Sequence, residues 1–334
     1  MNVDNNDIVK KGFIDIPLEE GINLVEAINA LKKEKNAIIL AHYYQQNEVQ
    51  DIADYLGDSL GLSEQAAKTN ANIIVFAGVH FMAETAKILS PTKKVLIPDL
   101  MAGCSLADSC PPEKFKEFLK EHPNHTVITY VNTTAQIKAL SDVCCTSSNA
   151  VQIVNSFPKD EKIIFAPDRN LGNYIKRISG RENMLVWDGA CHVHEEFSLE
   201  RILELKKENP DAKLISHPEC KKPILLVSDY IGSTSELLKY VINDSNSKFI
   251  VATEWGILHQ MQKACPDKIF IAAPPLDSTC GCNECSFMKL ITLKKIYNTL
   301  KYELPEVTVE SSIIERAKLP IVRMLELSKK LGLI

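Results

Sequence analysis

No apolar run in this sequence approaches the roughly 18 residues that a membrane-spanning helix requires, and a net charge of −5 leaves no excess of basic side chains. Nucleic acid is not an expected partner, because proteins that bind it carry a basic patch or stripe. The first thirty residues mix acidic and amide side chains without an apolar core, so we expect neither a signal peptide nor a membrane anchor. We predict a cytoplasmic protein that contacts no membrane.

Cysteine is not scarce, since ten are present among 334 residues. In a reducing compartment, cysteines are typically metal ligands or small buried hydrophobic residues rather than disulfide partners. With 45% hydrophobic residues the chain can bury a large core, and it exceeds the roughly 100 to 200 residues of one ordinary domain. We therefore expect two or three domains, and some of the cysteines are candidates for metal binding.

Short apolar runs that are typical of strands recur along the chain in sets of three. The sets are 37–41, 73–77 and 95–97, then 126–130, 162–166 and 184–187, then 212–216, 248–252 and 268–272. Segments with helical spacing separate the runs, which indicates parallel sheets covered by helices on both faces. Residues 51–56 are predicted to be one of these helices, and residues 1–12 are predicted to lack regular structure.

One spacing relates the three sets. Steps of 88 and 87 residues separate the members of three series, which are His42, Tyr130 and His217, then Tyr44, Asn132 and Glu219, then Ser59, Ser147 and Thr234. Cys104 and Cys191 are also 87 residues apart. This period is too long for a solenoid repeat of about 20 to 50 residues. The predicted fold class is α/β, with three homologous αβα units whose parallel sheets surround a pseudo-threefold axis and an active site at the centre.

The period also sets the expected division of the chain. The predicted segments are 1–35 for an N-terminal segment and helix, 36–110, 111–195 and 196–285 for the first, second and third repeats, and 286–334 for C-terminal helices. We expect the C-terminal helices to pack back on the three repeats.

The repeated polar side chains fall where parallel sheets bind ligands, just beyond the carboxyl ends of strands. A hydroxyl beside the N–H groups of a helix start is a ready anion site. Three such hydroxyls, at Ser59, Ser147 and Thr234, suit a substrate that carries several carboxylates or a phosphate. The same three residues could instead be helix caps, because a cap and an anion site share one geometry.

Three cysteines, one in each repeat, could together bind metal. They could hold a tetrahedral zinc ion with one open position or an iron–sulfur cluster in which one iron has no protein thiolate. A set made only of thiolates favours metals that prefer soft ligands. An open iron would act as a Lewis acid that polarises a substrate oxygen.

The third of these cysteines is not fixed by the repeat. Cys191 lies three residues after Asp188, and Cys280 lies three residues after Asp277, which points to Cys280. Cys104 lies five residues after the aspartate that follows its own strand, so this offset is not constant. Spacing alone therefore leaves Cys280 and the neighbouring Cys282 and Cys285 open as candidates.

Eight motifs, in order over roughly residues 20 to 300, carry a family resemblance. They are Ala41-His-Tyr-Tyr44, Gly57-Asp-Ser59-Leu, Met101-Ala-Gly-Cys104, Thr129-Tyr130-Val-Asn132, Gly189-Ala-Cys191-His-Val-His, His217-Pro-Glu219-Cys, Gly232-Ser-Thr234-Ser and Cys282-Asn-Glu-Cys285-Ser-Phe-Met. This sequence resembles the quinolinate synthase family. The resemblance implies a [4Fe–4S] enzyme that condenses iminoaspartate with dihydroxyacetone phosphate to quinolinate, phosphate and water, on the route to NAD. It also implies L-aspartate oxidase as the supplier of the imine.

The resemblance further implies roles for individual residues. The implied acid–base groups are Tyr44, His42, His217 and Glu219, the substrate binders are Ser59, Tyr130, Asn132, Ser147 and Thr234, and the cluster ligands are Cys104, Cys191 and Cys285. Cys285 is preferred as the third ligand because it precedes an aromatic–Met pair. Ser286 departs from the proline that the family commonly has there, and Cys280-Gly-Cys282 is tighter than its usual Cys-x-x-Cys.

Simpler roles are expected for the remaining candidates. We predict that Cys110, Cys144, Cys145, Cys220 and Cys265 are small buried hydrophobic residues. His192 and His194 are expected to support the ligand cysteine or lie at the surface rather than bind metal. Two other function classes remain, a hydro-lyase that uses an open cluster on a different polycarboxylate, and a non-enzymatic zinc or electron-transfer module.

Overall fold

The computed structural model describes residues 5–276 and 283–334 and contains three four-stranded sheets. Every strand pairing within these sheets is parallel. Each sheet has the same order, with its second strand at one edge, then the first, third and fourth. The prediction of three homologous αβα units is confirmed, while the pseudo-threefold axis and the five segment boundaries stay predictions.

The strands divide evenly among the three repeats. In chain order they are β1 (Ala37–His42), β2 (Tyr55–Gly57), β3 (Ile73–Ala77), β4 (Lys94–Leu96), β5 (Thr126–Tyr130), β6 (Val143–Cys145), β7 (Ile163–Ala166), β8 (Met184–Val186), β9 (Lys213–Ser216), β10 (Tyr230–Ile231), β11 (Lys248–Ala252) and β12 (Ile269–Ala272). The interior strands β3 and β7 are buried at every residue. This is the pattern of a parallel sheet with helices on both faces.

Helices separate the strands. They are α1 (Asn5–Lys11), α2 (Leu24–Glu34), α3 (Asn47–Asp51), α4 (Ser59–Lys68), α5 (His80–Leu89), α6 (Ser105–Asp108), α7 (Pro112–Glu121), α8 (Ala135–Lys138), α9 (Ala150–Asn155), α10 (Arg169–Ser179), α11 (His192–Glu195), α12 (Leu199–Glu208), α13 (Lys222–Val227), α14 (Thr234–Asn243), α15 (Ile257–Ala264), α16 (Leu293–Tyr302) and α17 (Ser311–Lys330), with a short 3-10 helix at Met288–Leu290. Local signals set the ends of α10. Asp168 caps its first turn, and Gly180 ends it in the left-handed region at φ 64°.

Three expectations about local structure were wrong. Each sheet contains a fourth strand of two or three residues, namely β2, β6 and β10, which is too short to produce an alternating pattern in the sequence. The helix predicted at 51–56 is instead the end of α3 followed by β2. Residues 5–11, predicted to lack regular structure, form α1.

A carboxylate that no motif singled out recurs with the same period. Asp54, Asp142 and Asp229 each accept the backbone N–H of a residue in the first strand of their sheet, at 2.7 Å in all three cases. The backbone N–H of each aspartate returns a bond to the carbonyl of that same strand residue, at 2.7 to 3.0 Å. The repeat therefore extends to hydrogen bonds that hold the loop before each edge strand.

The described chain forms two compact units. The first comprises residues 5–104, 134–139 and 286–318 and contains the sheet of β1 to β4. In this unit α2 packs on α16, and the amide of Asn298 donates to the carbonyls of Ile14 and Ile16 at 3.1 and 3.0 Å. These bonds attach the N-terminal segment to α16.

The second compact unit comprises residues 105–133, 140–276, 283–285 and 319–334 and contains the other two sheets. A hydrophobic cluster under the third sheet includes Phe197, Ile202, Leu214, Ile224 and Ile250. Among the described residues, none of the helices combines the length and the apolarity that crossing a membrane would require.

Candidate active site

The predicted site residues lie at the carboxyl ends of the first strands. His42 and Tyr130 are the last residues of β1 and β5, and His217 directly follows β9. Their partners in the second series stand two residues further along each chain segment. The position is the one at which parallel sheets bind ligands, because loops and helix starts converge there.

In the second compact unit these side chains form a polar cluster, which we define as Tyr130, Ser147, His194, His217 and Glu219. The hydroxyl of Tyr130 donates to Oε1 of Glu219 at 2.6 Å. Nε2 of His217 lies 3.1 Å from the hydroxyl of Ser147. The backbone N–H of Glu219 donates to Nδ1 of His217 at 3.3 Å, which holds that ring in one orientation. The cluster thus unites residues from the second and third repeats.

His194 belongs to this cluster, although the sequence placed it in a supporting or surface position. It is buried, and Nδ1 lies 3.2 Å from Oε2 of Glu219, within ion-pair distance. Its ring stacks on His217 with centroids 4.8 Å apart, and Nε2 lies 3.1 Å from the hydroxyl of Thr253. The signal in the sequence was its place one helical turn after Cys191, which returns its side chain toward the cysteine loop.

The electrostatics of the polar cluster keep Glu219 ionised. Burial alone would raise the pKa of Glu219, but the neighbouring imidazoles of His194 and His217 and the hydrogen bonds that it receives lower that pKa to about 2. The pKa of the neighbouring Asp168 shifts in the opposite direction. Burial, together with the charge of Glu219, raises the pKa of Asp168 well above its usual value.

The first compact unit has a related arrangement at the end of β1. The backbone N–H of Tyr44 donates to Nδ1 of His42 at 3.2 Å, and the two rings meet edge to face with centroids 4.4 Å apart. Lys289 donates to the carbonyl of Tyr44 at 2.7 Å. The pair repeats the contact of Glu219 with His217, as the steps of 88 and 87 residues predicted.

The hydroxyls of Ser59 and Thr234 do not cap their helices. Each is the first helical residue, and the cap is the residue before it, Asp58 for α4 and Ser233 for α14. Ser147 precedes α9, whose cap position is occupied by Asn149. The cap interpretation is therefore wrong for these hydroxyls.

Asn132 offers an acceptor at the end of β5. Its Oδ1 is buried and has no hydrogen-bond partner among the residues that the structure describes. A buried polar atom normally has a partner, because leaving it without one costs free energy. An acceptor of this kind suits a ligand that brings a hydroxyl or an amine.

Burial separates the described cysteines into two groups. Cys110, Cys144, Cys145, Cys220 and Cys265 are buried, as predicted, whereas Cys104, Cys191 and Cys285 are half-buried. Burial raises the pKa of Cys110 to about 12 and raises those of Cys145 and Cys220 well above the usual value. Metal binding requires a thiolate, so the half-buried group fits a metal site better. Cys280 and Cys282 lie outside the described residues.

One of these cysteines lies beside the polar cluster. Sγ of Cys191, a ring nitrogen of His194 and a carboxylate oxygen of Glu219 all lie within 4.8 Å of one another. The three atoms could hold a metal ion, and sulfur with imidazole suits both iron and zinc. The residues of this part of the second unit therefore fit a metal site.

Comparison with known proteins places this chain among close relatives. The family model described as Quinolinate synthetase A protein matches residues 26–326. A curated protein of Synechocystis sp. named Quinolinate synthase is 60% identical over 306 residues, which are 92% of this chain and 96% of the relative. Another of that name from Synechococcus sp. is 58% identical over 314 residues, 94% of this chain and 97% of the relative.

Proposed function

The chain belongs to the quinolinate synthetase A family, and from that premise we propose that it condenses iminoaspartate with dihydroxyacetone phosphate. The products are quinolinate, phosphate and water, in the biosynthesis of NAD. The observation that carries this proposal is the buried polar cluster at the carboxyl ends of β5 and β9. It supplies an ionised carboxylate, two imidazoles and a phenol, which are groups that move protons.

Within the cluster, hydrogen bonds hold Glu219 and His217 in place. The 2.6 Å bond from the phenol fixes Glu219, and the backbone N–H of Glu219 fixes the ring of His217. Because the pKa of Glu219 is about 2, its carboxylate is ionised at neutral pH and can accept hydrogen bonds from a bound substrate. His42, Tyr44, His217 and Glu219 are the proposed acid–base residues.

The proposed substrates require binding sites for negative charge, since iminoaspartate carries two carboxylates and the triose carries a phosphate. Ser59 and Thr234 stand in the first turns of helices of ten residues, where N–H groups and the helix dipole favour negative charge. Oδ1 of Asn132 would accept a hydrogen bond from a hydroxyl or imine N–H. Tyr130 and Ser147 complete the proposed binding set.

The proposed cofactor is a [4Fe–4S] cluster with Cys104, Cys191 and Cys285 as ligands. Their half-buried thiols fit this role, whereas the buried thiols do not. When bound, such a cluster leaves one iron without a thiolate and supplies a Lewis acid that polarises a substrate oxygen for loss of water. We also propose a cytoplasmic enzyme that receives its imine from L-aspartate oxidase and binds neither nucleic acid nor membranes.

The test is metal and sulfide analysis of protein purified without oxygen, followed by an assay that supplies iminoaspartate and dihydroxyacetone phosphate. We expect about four iron and four sulfide per chain and formation of quinolinate. One zinc per chain without sulfide would contradict the cluster and favour an ion on Cys191, His194 and Glu219. Dehydration of simple hydroxy acids, without quinolinate formation, would instead indicate a hydro-lyase.

A further inference from the structure

Two fully buried carboxylates occupy matching positions in the second and third repeats. Asp168 stands two residues after the last residue of β7, and Glu254 stands two residues after the last residue of β11. Both strands are the third strand of their sheet and have neighbours on both sides. Both side chains have 0% of their surface exposed. Neither residue belongs to the acid–base or binding sets proposed above.

Each oxygen of Asp168 has a different task. Oδ1 accepts the N–H of Leu171 at 2.7 Å and so caps α10. Oδ2 accepts the N–H of Cys191 at 3.3 Å. The carboxylate therefore connects the start of a long helix to the loop that carries a proposed cluster ligand.

Glu254 repeats this division in the third repeat. Oε2 accepts the N–H of Gly256 at 2.7 Å, at the turn that leads into α15. Oε1 accepts the N–H of Cys285 at 3.3 Å. Glutamate and aspartate thus make the same pair of bonds, one to a helix start and one to the backbone of a half-buried cysteine.

The backbone of Gly189 lies so close to that of Pro167 that only glycine fits at this position. Gly189 donates to the carbonyl of Pro167 at 3.1 Å and accepts the N–H of Arg169 at 2.7 Å. A Cβ at Gly189 would lie 2.6 Å from the carbonyl oxygen of Pro167, which explains why glycine precedes Ala190 and Cys191 in the motif. The corresponding residue of the first repeat is Val79, which has no side-chain acceptor.

From these contacts we infer that Asp168 and Glu254 are positioning residues, which hold Cys191 and Cys285 for cluster binding by accepting their backbone N–H groups. The ligand role of the two cysteines rests on the proposed function, but the positioning bonds do not. Both carboxyl oxygens can accept an N–H whether or not the group carries a proton. The corresponding position of the first repeat is Val79, so the inference concerns Cys191 and Cys285.

The test uses Asp168→Asn and Glu254→Gln, which keep the size of each side chain but place an NH₂ group where one oxygen was. Asparagine remains a good helix cap, so the variant can keep the bond to Leu171 and lose the one to Cys191. We expect iron release from the anaerobic protein to a chelator to quicken about tenfold in each variant, with a changed electron paramagnetic resonance spectrum of the reduced cluster. Asp142→Asn is the matched control, because its carboxylate also accepts a backbone N–H, but that N–H belongs to Val127 in β5 rather than to a proposed ligand.

A second measurement separates positioning from general support of the fold. Alkylation of the full chain after removal of metal is followed for each cysteine by mass spectrometry. We expect Asp168→Asn to speed alkylation of Cys191 alone, and Glu254→Gln to speed that of Cys285 alone, each about tenfold. Equal acceleration at every cysteine, including buried Cys110, or no change at either matched cysteine, would overturn the inference. A zinc-loaded parent protein would instead contradict the proposed function and leave these alkylation results interpretable.

Discussion

The first and third repeats differ in chemistry although their backbones make the same contacts. At the end of β1 and just after β9, a histidine Nδ1 accepts the N–H of the residue two positions later, at 3.2 and 3.3 Å. That later residue is Tyr44 in one repeat and Glu219 in the other. The repeat therefore fixes where a side chain stands, and substitution at that place decides whether it is a phenol or an ionised carboxylate.

The same contrast holds after the third strand of each sheet. The third repeat has the buried carboxylate of Glu254 two residues past its third strand, whereas the first repeat has Val79 there. Both loops lead into a helix, α5 after Val79 and α15 after Glu254. Equivalent positions in the repeats therefore need not carry the same side-chain acceptor.

The largest expected effect tests whether the two repeats contribute ligands equally. We predict that Cys104→Ala and Cys285→Ala each abolish the cluster, because each removes one of only three proposed thiolate ligands. Cys280→Ala and Cys282→Ala are predicted to keep it. Visible absorbance and iron content of the four anaerobic variants provide the measurement. A brown Cys285→Ala protein beside a colourless Cys280→Ala protein would transfer the ligand role to Cys280.

The second effect compares the two residues that differ between the repeats. Tyr44→Phe and Glu219→Gln should each lower turnover by about 10² to 10⁴-fold, the range expected for loss of an acid–base group. Both variants should keep the iron content of the parent, because neither residue is a proposed ligand. Turnover at the parent rate in either variant would remove that residue from the acid–base set.

The third effect concerns Cys104 and Cys110, two described cysteines that differ in burial. At pH 8, Cys110 should react with iodoacetamide at least tenfold more slowly than Cys104 in the metal-free chain, because burial raises the pKa of Cys110 to about 12 and the thiolate is the reactive form. A raised pKa leaves the thiol neutral until the pH approaches 12, so the slow reaction should persist across the neutral range. Labelling yields at each cysteine, measured by mass spectrometry, test the difference.

The smallest effect distinguishes caps from binding hydroxyls. Asp58→Ala and Ser233→Ala should each lower the free energy of unfolding by about 1 kcal/mol, since each removes a helix cap. Ser59→Ala should change stability less and raise the KM for substrate. Urea unfolding and steady-state kinetics on the three variants measure the two quantities. Loss of stability in Ser59→Ala equal to that in Asp58→Ala would favour a purely structural hydroxyl.

Much of the fold followed from local sequence. The long strands were found because runs such as Ile73–Ala77 are apolar throughout. The short edge strands could not be found in this way. Their two or three residues become strands only by pairing with the neighbouring first strand, a contact between segments about 15 residues apart.

Only some of the residues at the site were predicted from the sequence. The positions of His42, Tyr130 and His217 followed from the period, because equivalent positions in homologous repeats lie at equivalent strand ends. His194 was undervalued, since its contact with Glu219 joins parts of the chain 25 residues apart, and no periodic signal marks it. Asp168 and Glu254 were missed for the same reason.

The sequence by itself determined the period, the fold class and the places of the repeated polar side chains, because these depend on residue order and apolar spacing along the chain. Only the tertiary structure decided which hydroxyls cap helices, which described cysteines are buried, and which carboxylate is ionised beside two imidazoles. Those properties depend on what lies against a side chain from distant segments. Desolvation and neighbouring charge then set its pKa, and its hydrogen-bond partners set its role.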